Sequence, residues 1–307
     1  MVAVAQLLIG LVCAGIGGEL FVRGTVGMAR CMRIPPGIIA ATFAAFATSS
    51  PELSVAIGSA LTKDPQISLG DALGSNVVNI ALILGLSLFV SPPVAPLVNF
   101  NRELVVALVV PLLVGLAALD GTIARWEGWL LLSVFGGWMV VLLRGTLRER
   151  GQPSVSASRA SPWEVVVFSL VGLGLLIIAG DQVVRGARAL ARFMGIGEFV
   201  VGATMVAIGT SVPELATTLV ALCRRQETIG FGIVLGSNIF NGLLIVPLTA
   251  VLCPIAVHGA STAVALVASA MAGLLLVPGA SGHLGRARGF LLLTLYVLFV
   301  FIISRFR

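Results

Sequence analysis

Glu52 and Glu214 are the two acidic side chains set deepest in long apolar runs, within AFATSSPEL and AIGTSVPEL. Each follows a pair of hydroxyls, Thr48 and Ser49 in one case, Thr210 and Ser211 in the other. On a helix, residues three and four apart share a face, so each glutamate and its two hydroxyls can point together. Downstream, Ser75 with Asn79 and Ser237 with Asn241 repeat the four-residue spacing. Every donor in this set is an oxygen, and no Cys or His joins it, which favours hard cations over zinc or copper. Ca2+ takes about 6–8 oxygens, and two glutamates would neutralise one such ion. Na+ suits the hydroxyl and carbonyl positions beside them, whereas Mg2+ usually keeps several waters and fits less well. A charge at the centre of a bilayer costs at least about 2.5–3.5 kcal/mol. No Lys or Arg lies at comparable depth in the same runs. A bound cation is the compensating partner these residues call for.

The elements that hold them must be membrane helices. The chain has 307 residues, 58% hydrophobic and only 10% charged, with a mean hydropathy of +1.09. Soluble proteins carry about 25% charged residues. That deficit excludes a soluble fold, a disordered chain and a disulfide scaffold. The pI near 10.1 does not signal nucleic acid, because the 19 Lys and Arg fall in short clusters between apolar runs. A span needs about 20 mostly apolar residues. Ten candidates lie near 2–22, 36–61, 68–91, 98–119, 128–144, 162–182, 198–223, 228–252, 258–280 and 286–304. The runs are continuously apolar and do not alternate, which disfavours a β-barrel. The N-terminal run lacks a positive leader and continues into Glu19 and Arg23, so it reads as the first helix and not as a signal peptide. Cys13, Cys31, Cys223 and Cys253 have no metal-ligand spacing and read as small apolar residues.

Sliding the chain against itself by 162 residues aligns 18–83 with 180–245 without a gap, at 25 identities in 66 positions. GELFVRG meets GDQVVRG, ATFAAFATSSPEL (41–53) meets ATMVAIGTSVPEL (203–215), and GDALGSNVVNIALI (70–83) meets GIVLGSNIFNGLLI (232–245). Chance likeness between apolar segments would match Leu and Val, not Pro51/Pro213, Glu52/Glu214, Ser75/Ser237, Asn76/Asn238 and Asn79/Asn241. Five helices per repeat is an odd number, so the halves must sit in the membrane with opposite orientation. The expected fold is an all-α polytopic membrane protein, with ten transmembrane helices in two inverted-topology five-helix repeats. These are 1–144 and 162–307, joined by a Ser-, Gly- and Arg-rich linker at 145–161. Loops after odd-numbered helices hold 12 of the 19 basic residues. The positive-inside rule therefore puts them in the cytoplasm and both termini outside.

Pro51 and Pro213 cannot donate to the carbonyls of Ala47 and Gly209, so both helices should kink there. Freed carbonyls at the midplane can ligate cations. Gly70 with Gly74, and Gly232 with Gly236, have the spacing that lets helices approach closely. Other polar residues carry plainer readings. Asn76 and Asn238 read as glue between helices, outside the ion shell. Asp71, matched by Ile233 in the other repeat, falls at an expected helix start, where it reads as a cap or dipole partner. Glu19 with Arg23, and Asp181 with Arg185, fall at helix ends as interfacial anchors or gate contacts.

The paired motifs ATSSPE/GTSVPE and GSNVVN/GSNIFN, in two inverted halves, resemble the α-repeats of the sodium/calcium exchanger family. That family lies within the calcium/cation antiporter superfamily, and the likeness is to its prokaryotic type. It spans essentially the whole chain. It implies an antiporter exchanging Ca2+ for several Na+, with no cofactor and no ATP hydrolysis. Carried across position by position, Glu52 and Glu214 match the central Ca2+ carboxylates. Thr48 and Thr210 match adjoining ligands, and Ser49, Ser211, Ser75 and Ser237 match flanking Na+ ligands. Ala45 and Ala207 fall where backbone carbonyls are offered, and Asn79 and Asn241 match the central polar pair of helices 3 and 8. Some relatives have an acid in that pair; two asparagines weaken a case for K+ co-transport. Ala47 stands where the first motif commonly has Gly, as Gly209 does in the second.

The resemblance also implies that helices 1 and 6, rich in small residues (Gly15, Gly17, Gly18; Gly172, Gly174, Gly180), slide against the other eight around a fixed site. A Ca2+/H+ exchanger using the same glutamates is the nearest alternative. A cation channel would use similar oxygens, but inverted repeats with kinked paired helices favour a carrier. An enzyme is a weaker reading, because His258 and His283 lie near expected loops, far in sequence from the glutamates. A scaffold would not need two buried carboxylates. The expected setting is a prokaryotic inner membrane, with the lipid bilayer as the only environment implied.

Overall fold

Prolines open three of the long helices. Pro36, Pro65 and Pro162 each stand at a first helical position, where an N–H is not needed. The computed structural model describes residues 2–32, 34–90, 101–149, 161–194, 202–257, 259–277 and 284–306. Ten helical segments run through them. They are α1 (Val2–Met32), α2 (Pro36–Thr48 with Ser50–Leu61), α3 (Pro65–Phe89), α4 (Asn101–Ala117) and α5 (Arg125–Glu149). Then follow α6 (Pro162–Met194), α7 (Ala203–Thr210 with Val212–Cys223), α8 (Glu227–Leu252), α9 (Gly259–Leu275) and α10 (Arg286–Ile303). Among the described residues five helices are long and apolar enough to cross a membrane, or seven when each bent pair counts as one span. Of the others, α4 and α9 have 17 residues each, and α1 carries Glu19, Arg23 and Arg30 within its 31.

Three helices run on past their expected C-terminal ends. α1 runs on to Met32 and α6 to Met194, about three turns beyond the expected ends at 22 and 182. Both extensions carry arginines, which suit helix C-terminal ends. α5 continues to Glu149, five residues into the expected linker, again with Arg144 and Arg148 in its closing turns. Residues 150–160 of the linker, His258, His283 and the side chains of Asp181 and Arg185 lie outside the described residues.

Apolar side chains cover the outside of the bundle as well as filling its core. Ile9, Val12 and Ile16 of α1, Leu112 and Leu116 of α4, Leu170 and Ile177 of α6, and Leu298 and Phe301 of α10 face outward. The central spans are α3 and α8, 83% and 94% buried. Their buried positions hold Asp71, Ser75, Asn76 and Asn79, then Ser237, Asn238 and Asn241. α1 and α6 pack antiparallel through glycines. A Cβ on Gly17 would lie 2.9 Å from that of Leu175, and one on Gly27 would lie 2.6 Å from a Val165 methyl.

The repeat extends into backbone detail. π-helical turns occupy Ala40–Ala44 and Gly202–Val206, and again Val78–Leu84 and Asn241–Ile245. The second half of α2 closes through Lys63 in the left-handed region (φ 62°), and that of α7 through Arg225 (φ 56°). In each case the next N–H returns five residues, Asp64 to Ser59 and Gln226 to Ala221, as in a Schellman cap. At one end of the bundle a two-residue antiparallel ladder (β1, Thr122–Ile123; β2, Ile255–Ala256) ties the α4–α5 turn to the α8–α9 turn. Gln66, at the start of α3, donates to the Ala256 carbonyl there. These three connections share one end, as alternating spans require.

Candidate cation site

Both motif helices break at the serine before the motif's second half. Ser49 (φ −82°, ψ 11°) and Ser211 (φ −81°, ψ 5°) leave helical geometry, bending α2 by 43° and α7 by 50°. The prolines act as expected. Each stands second in the helix that restarts, where its missing N–H costs nothing. Ser50 donates its hydroxyl to the Ala47 carbonyl at 2.7 Å, occupying one of the groups Pro51 leaves behind. Glu52 and Glu214 then fall in the first turn of the restarted helices, beside N–H groups that favour negative charge.

Close backbone contact brings α3 and α8 onto these breaks. A Cβ on Gly74 would lie 2.6 Å from the Ala203 Cα, and one on Gly236 would lie 2.7 Å from the Ala45 Cβ. Glycine is therefore required at both crossings. The contacts place Ser75 of α3 against the opposite repeat and Ser237 of α8 beside Glu214 of its own. Ser237 donates to Glu214 Oε1 at 3.0 Å, and Ser49 donates to the same oxygen at 3.1 Å. Ser75 lies 3.4 Å from both the Ala207 carbonyl and the Thr210 hydroxyl.

The glutamates are fully enclosed, Glu52 1% and Glu214 0% exposed, and Glu52 is within electrostatic reach of Glu214. Neither oxygen of Glu52, nor Oε2 of Glu214, nor Oγ of Ser211 takes part in a hydrogen bond among the described residues. Buried polar groups are normally satisfied, so three carboxylate oxygens enclosed together without donors mark a place for positive charge. No group of three or more His, Cys, Asp and Glu among the described residues could hold a metal alone; hydroxyls, amides or carbonyls would have to complete a shell.

The remaining expected ligands divide. Asn79 donates to Asn238 Oδ1 at 3.0 Å and Asn241 donates to Asn76 Oδ1 at 3.1 Å. Asn238 also donates to the Asn76 carbonyl at 3.0 Å. Asn76 and Asn238 thus clamp α3 to α8, while the Oδ1 atoms of Asn79 and Asn241 carry no hydrogen bond among the described residues. Thr48 donates back to the carbonyls of Ala44 (3.1 Å) and Ala45 (3.2 Å). The Ala45 and Ala207 carbonyls also accept from Ser49 and Ser211 N–H, so each has hydrogen bonds as well as a position at the break.

Two readings need correction. Asp71 is not at a helix start: α3 begins at Pro65, so Asp71 lies in its second turn. It is 1% exposed and accepts the Thr210 hydroxyl at 2.9 Å. A third buried carboxylate therefore adjoins the site. The signal available was Asp64-Pro65, which starts the helix a turn earlier than hydropathy does. Glu19 and Arg23 are likewise not at a helix end, because α1 continues to Met32. Glu19 accepts from Arg23 Nε at 2.7 Å and from Arg224 Nε at 2.7 Å, joining α1 to the end of α7.

A family profile described as "Sodium/calcium exchanger protein" matches residues 2–144 and 164–305. The "Uncharacterized membrane protein MJ0091" of Methanocaldococcus jannaschii is 32% identical over 305 residues, with 97% of each chain covered. Sodium/calcium exchanger MaX1 of Methanosarcina acetivorans is 25% identical over 343 residues, with the same coverage. Among solved structures, the sodium-calcium exchanger NCX_Mj soaked with Na+ and Sr2+ matches with a TM-score of 0.81. Its identity is 29%, over 97% of each chain. With its ten helices, inverted repeats and outward apolar faces, this multi-pass membrane protein is a cation antiporter and not an enzyme, and it belongs to the sodium/calcium exchanger family.

Proposed function

We propose that the chain exchanges Ca2+ for Na+ across the membrane by alternating access, at a midplane site built on Glu52 and Glu214. The observation that carries this reading is the enclosed pair of glutamates at two helix breaks, with three carboxylate oxygens lacking donors. Ser49, Ser75, Ser211 and Ser237, Thr48 and Thr210, the Oδ1 atoms of Asn79 and Asn241, and the carbonyls of Ala45 and Ala207 supply further hard oxygens. Hydroxyls serve here because each can rotate its proton away and offer lone pairs to a cation. The names of MaX1 and NCX_Mj as sodium/calcium exchangers support the choice of ions.

Exchange follows from charge. One Ca2+ or more than one Na+ can balance the two glutamates, and the two loads compete for the same oxygens. A loaded site is near neutral and can be moved between the two faces. An unloaded site would carry bare negative charge through a low-dielectric interior, which is prohibitively costly. Transport in one direction therefore requires transport in the other. α1 and α6, packed on each other through glycines and against the outer face of the motif helices, are the elements we assign to the movement. The two halves, 1–144 and 162–307 with a cytoplasmic linker at 145–161, then act as one inverted pair. Both termini lie outside a prokaryotic inner membrane.

In proteoliposomes, Glu52→Ala and Glu214→Ala should each abolish Na+-driven uptake of radiolabelled Ca2+. Wild-type-like uptake by either variant contradicts the assignment of the glutamates.

A further inference from the structure

We propose that Asp71 is a positioning carboxylate of the cation site, acting on the transported ion through the Thr210 hydroxyl that it orients; this rests on the exchanger reading above. A carboxylate buried within a span is costly, and Asp71 has no acidic counterpart to make it a by-product of the repeat. Its equivalent is Ile233. It stands in the second turn of α3, yet it reaches across to the other repeat, where Thr210 is the last residue before the break in α7. Thr210 Oγ has three acceptors around it, Asp71 Oδ1 at 2.9 Å, the Ala207 carbonyl at 3.3 Å and Ser75 Oγ at 3.4 Å.

A hydroxyl has one proton and two lone pairs. With the proton committed to Asp71, the Thr210 oxygen presents only lone pairs to its other neighbours, which suits a cation ligand. At the symmetry-related position Ile233 replaces Asp71, and Thr48 donates to the carbonyls of its own helix at 3.1 and 3.2 Å, with Glu214 beside it. The two half-sites are therefore unequal. Glu214 Oε1 is held by two serine hydroxyls, while Glu52 has Thr210 and Asp71 beside it. Asp71 thus biases the Glu52 half toward higher positive charge and pre-sets one of its ligands. Partners that orient metal ligands in this way typically account for about 10–100-fold in metal affinity.

The test is a double-mutant cycle read in half-saturating Ca2+ concentration, alongside maximal rate and thermal midpoint in detergent. Asp71→Ile and Thr210→Val should each raise the half-saturating concentration by about 10-fold or more. The double variant should be no worse than the weaker single one, because both changes remove one interaction. Asp71→Asn keeps an acceptor oxygen and should fall between wild type and Asp71→Ile. If Asp71→Ile does not fold, Asp71→Asn and Thr210→Val must still shift half-saturation. Unchanged half-saturation, or a lowered thermal midpoint alone, overturns the assignment, and so do effects that multiply in the double variant. Wild-type protein without Na+-driven Ca2+ uptake overturns the exchanger reading. Wild-type uptake with unaltered variants overturns the role of Asp71 alone.

Discussion

At the scale of residues, the buried polar groups divide into those that hold helices together and those that the proposed site offers to an ion. The four asparagines show the division most clearly. The amide groups of Asn79, Asn241 and Asn238 are all spent on contacts between α3 and α8, while two carboxamide oxygens carry no hydrogen bond among the described residues. Replacing Asn238 by Leu removes the acceptor for Asn79 and leaves a buried amide unsatisfied. That should cost about 1–3 kcal/mol and lower the thermal midpoint in detergent, even without Ca2+. An unchanged midpoint would contradict the clamp. The glutamates and their hydroxyls were legible in the sequence because the repeat doubled them. Asp71 was not, since it occurs in one repeat only and its depth depended on where α3 begins. Hydropathy places that start near 68, but Pro65 opens the helix a turn earlier, and that turn carries Asp71 from an end into the interior.

At the scale of elements, the positions of the spans followed from apolar length, and their special features followed from small and ring-bearing residues. Pro51 and Pro213 announced the breaks, and Gly74 and Gly236 announced the close crossings. The π-helical turns and the left-handed caps at Lys63 and Arg225 have weaker signatures. Lys63-Asp64 and Arg225-Gln226 share no residue type, yet both close with the same return bond. Tertiary packing sets such geometry where local propensity is indifferent. Gly236 gives the sharper test, because a methyl there meets the backbone and Cβ atoms of α2. Gly236→Ala should destabilise by about 1–3 kcal/mol and slow Ca2+ uptake by displacing Ser237 from Glu214. Gly58→Ala, where nothing lies within 4 Å, should behave as wild type. Equal behaviour of the two variants in a thermal-shift and uptake comparison would contradict the close-crossing account.

At the scale of the whole molecule, the inversion of the repeats is the architecture on which the proposed exchange rests. The same helices, inserted in opposite senses, build one site from two halves and leave α1 against α6 on the outside. Glu19 bridges α1 to Arg224 at the end of α7, a contact that any sliding of α1 must break or carry along. The ends of α1 and α6 are not legible in the sequence, because charged residues end the apolar run while the helix itself continues. In a cysteine-free background, cross-linking Cys introduced at Glu19 and Arg224 should stop Ca2+ uptake while preserving Ca2+-dependent thermal stabilisation. Full uptake by the cross-linked protein would contradict movement of α1 relative to α7.

The central claim is that Na+ and Ca2+ exchange at one pair of glutamates, and one flux comparison bears on it most directly. Purified protein in liposomes loaded with Na+ should take up radiolabelled Ca2+ when diluted into Na+-free medium. The same liposomes with a pH gradient and no Na+ should take up none above background. Ca2+ uptake driven by the pH gradient alone, without a response to Na+, would contradict the account.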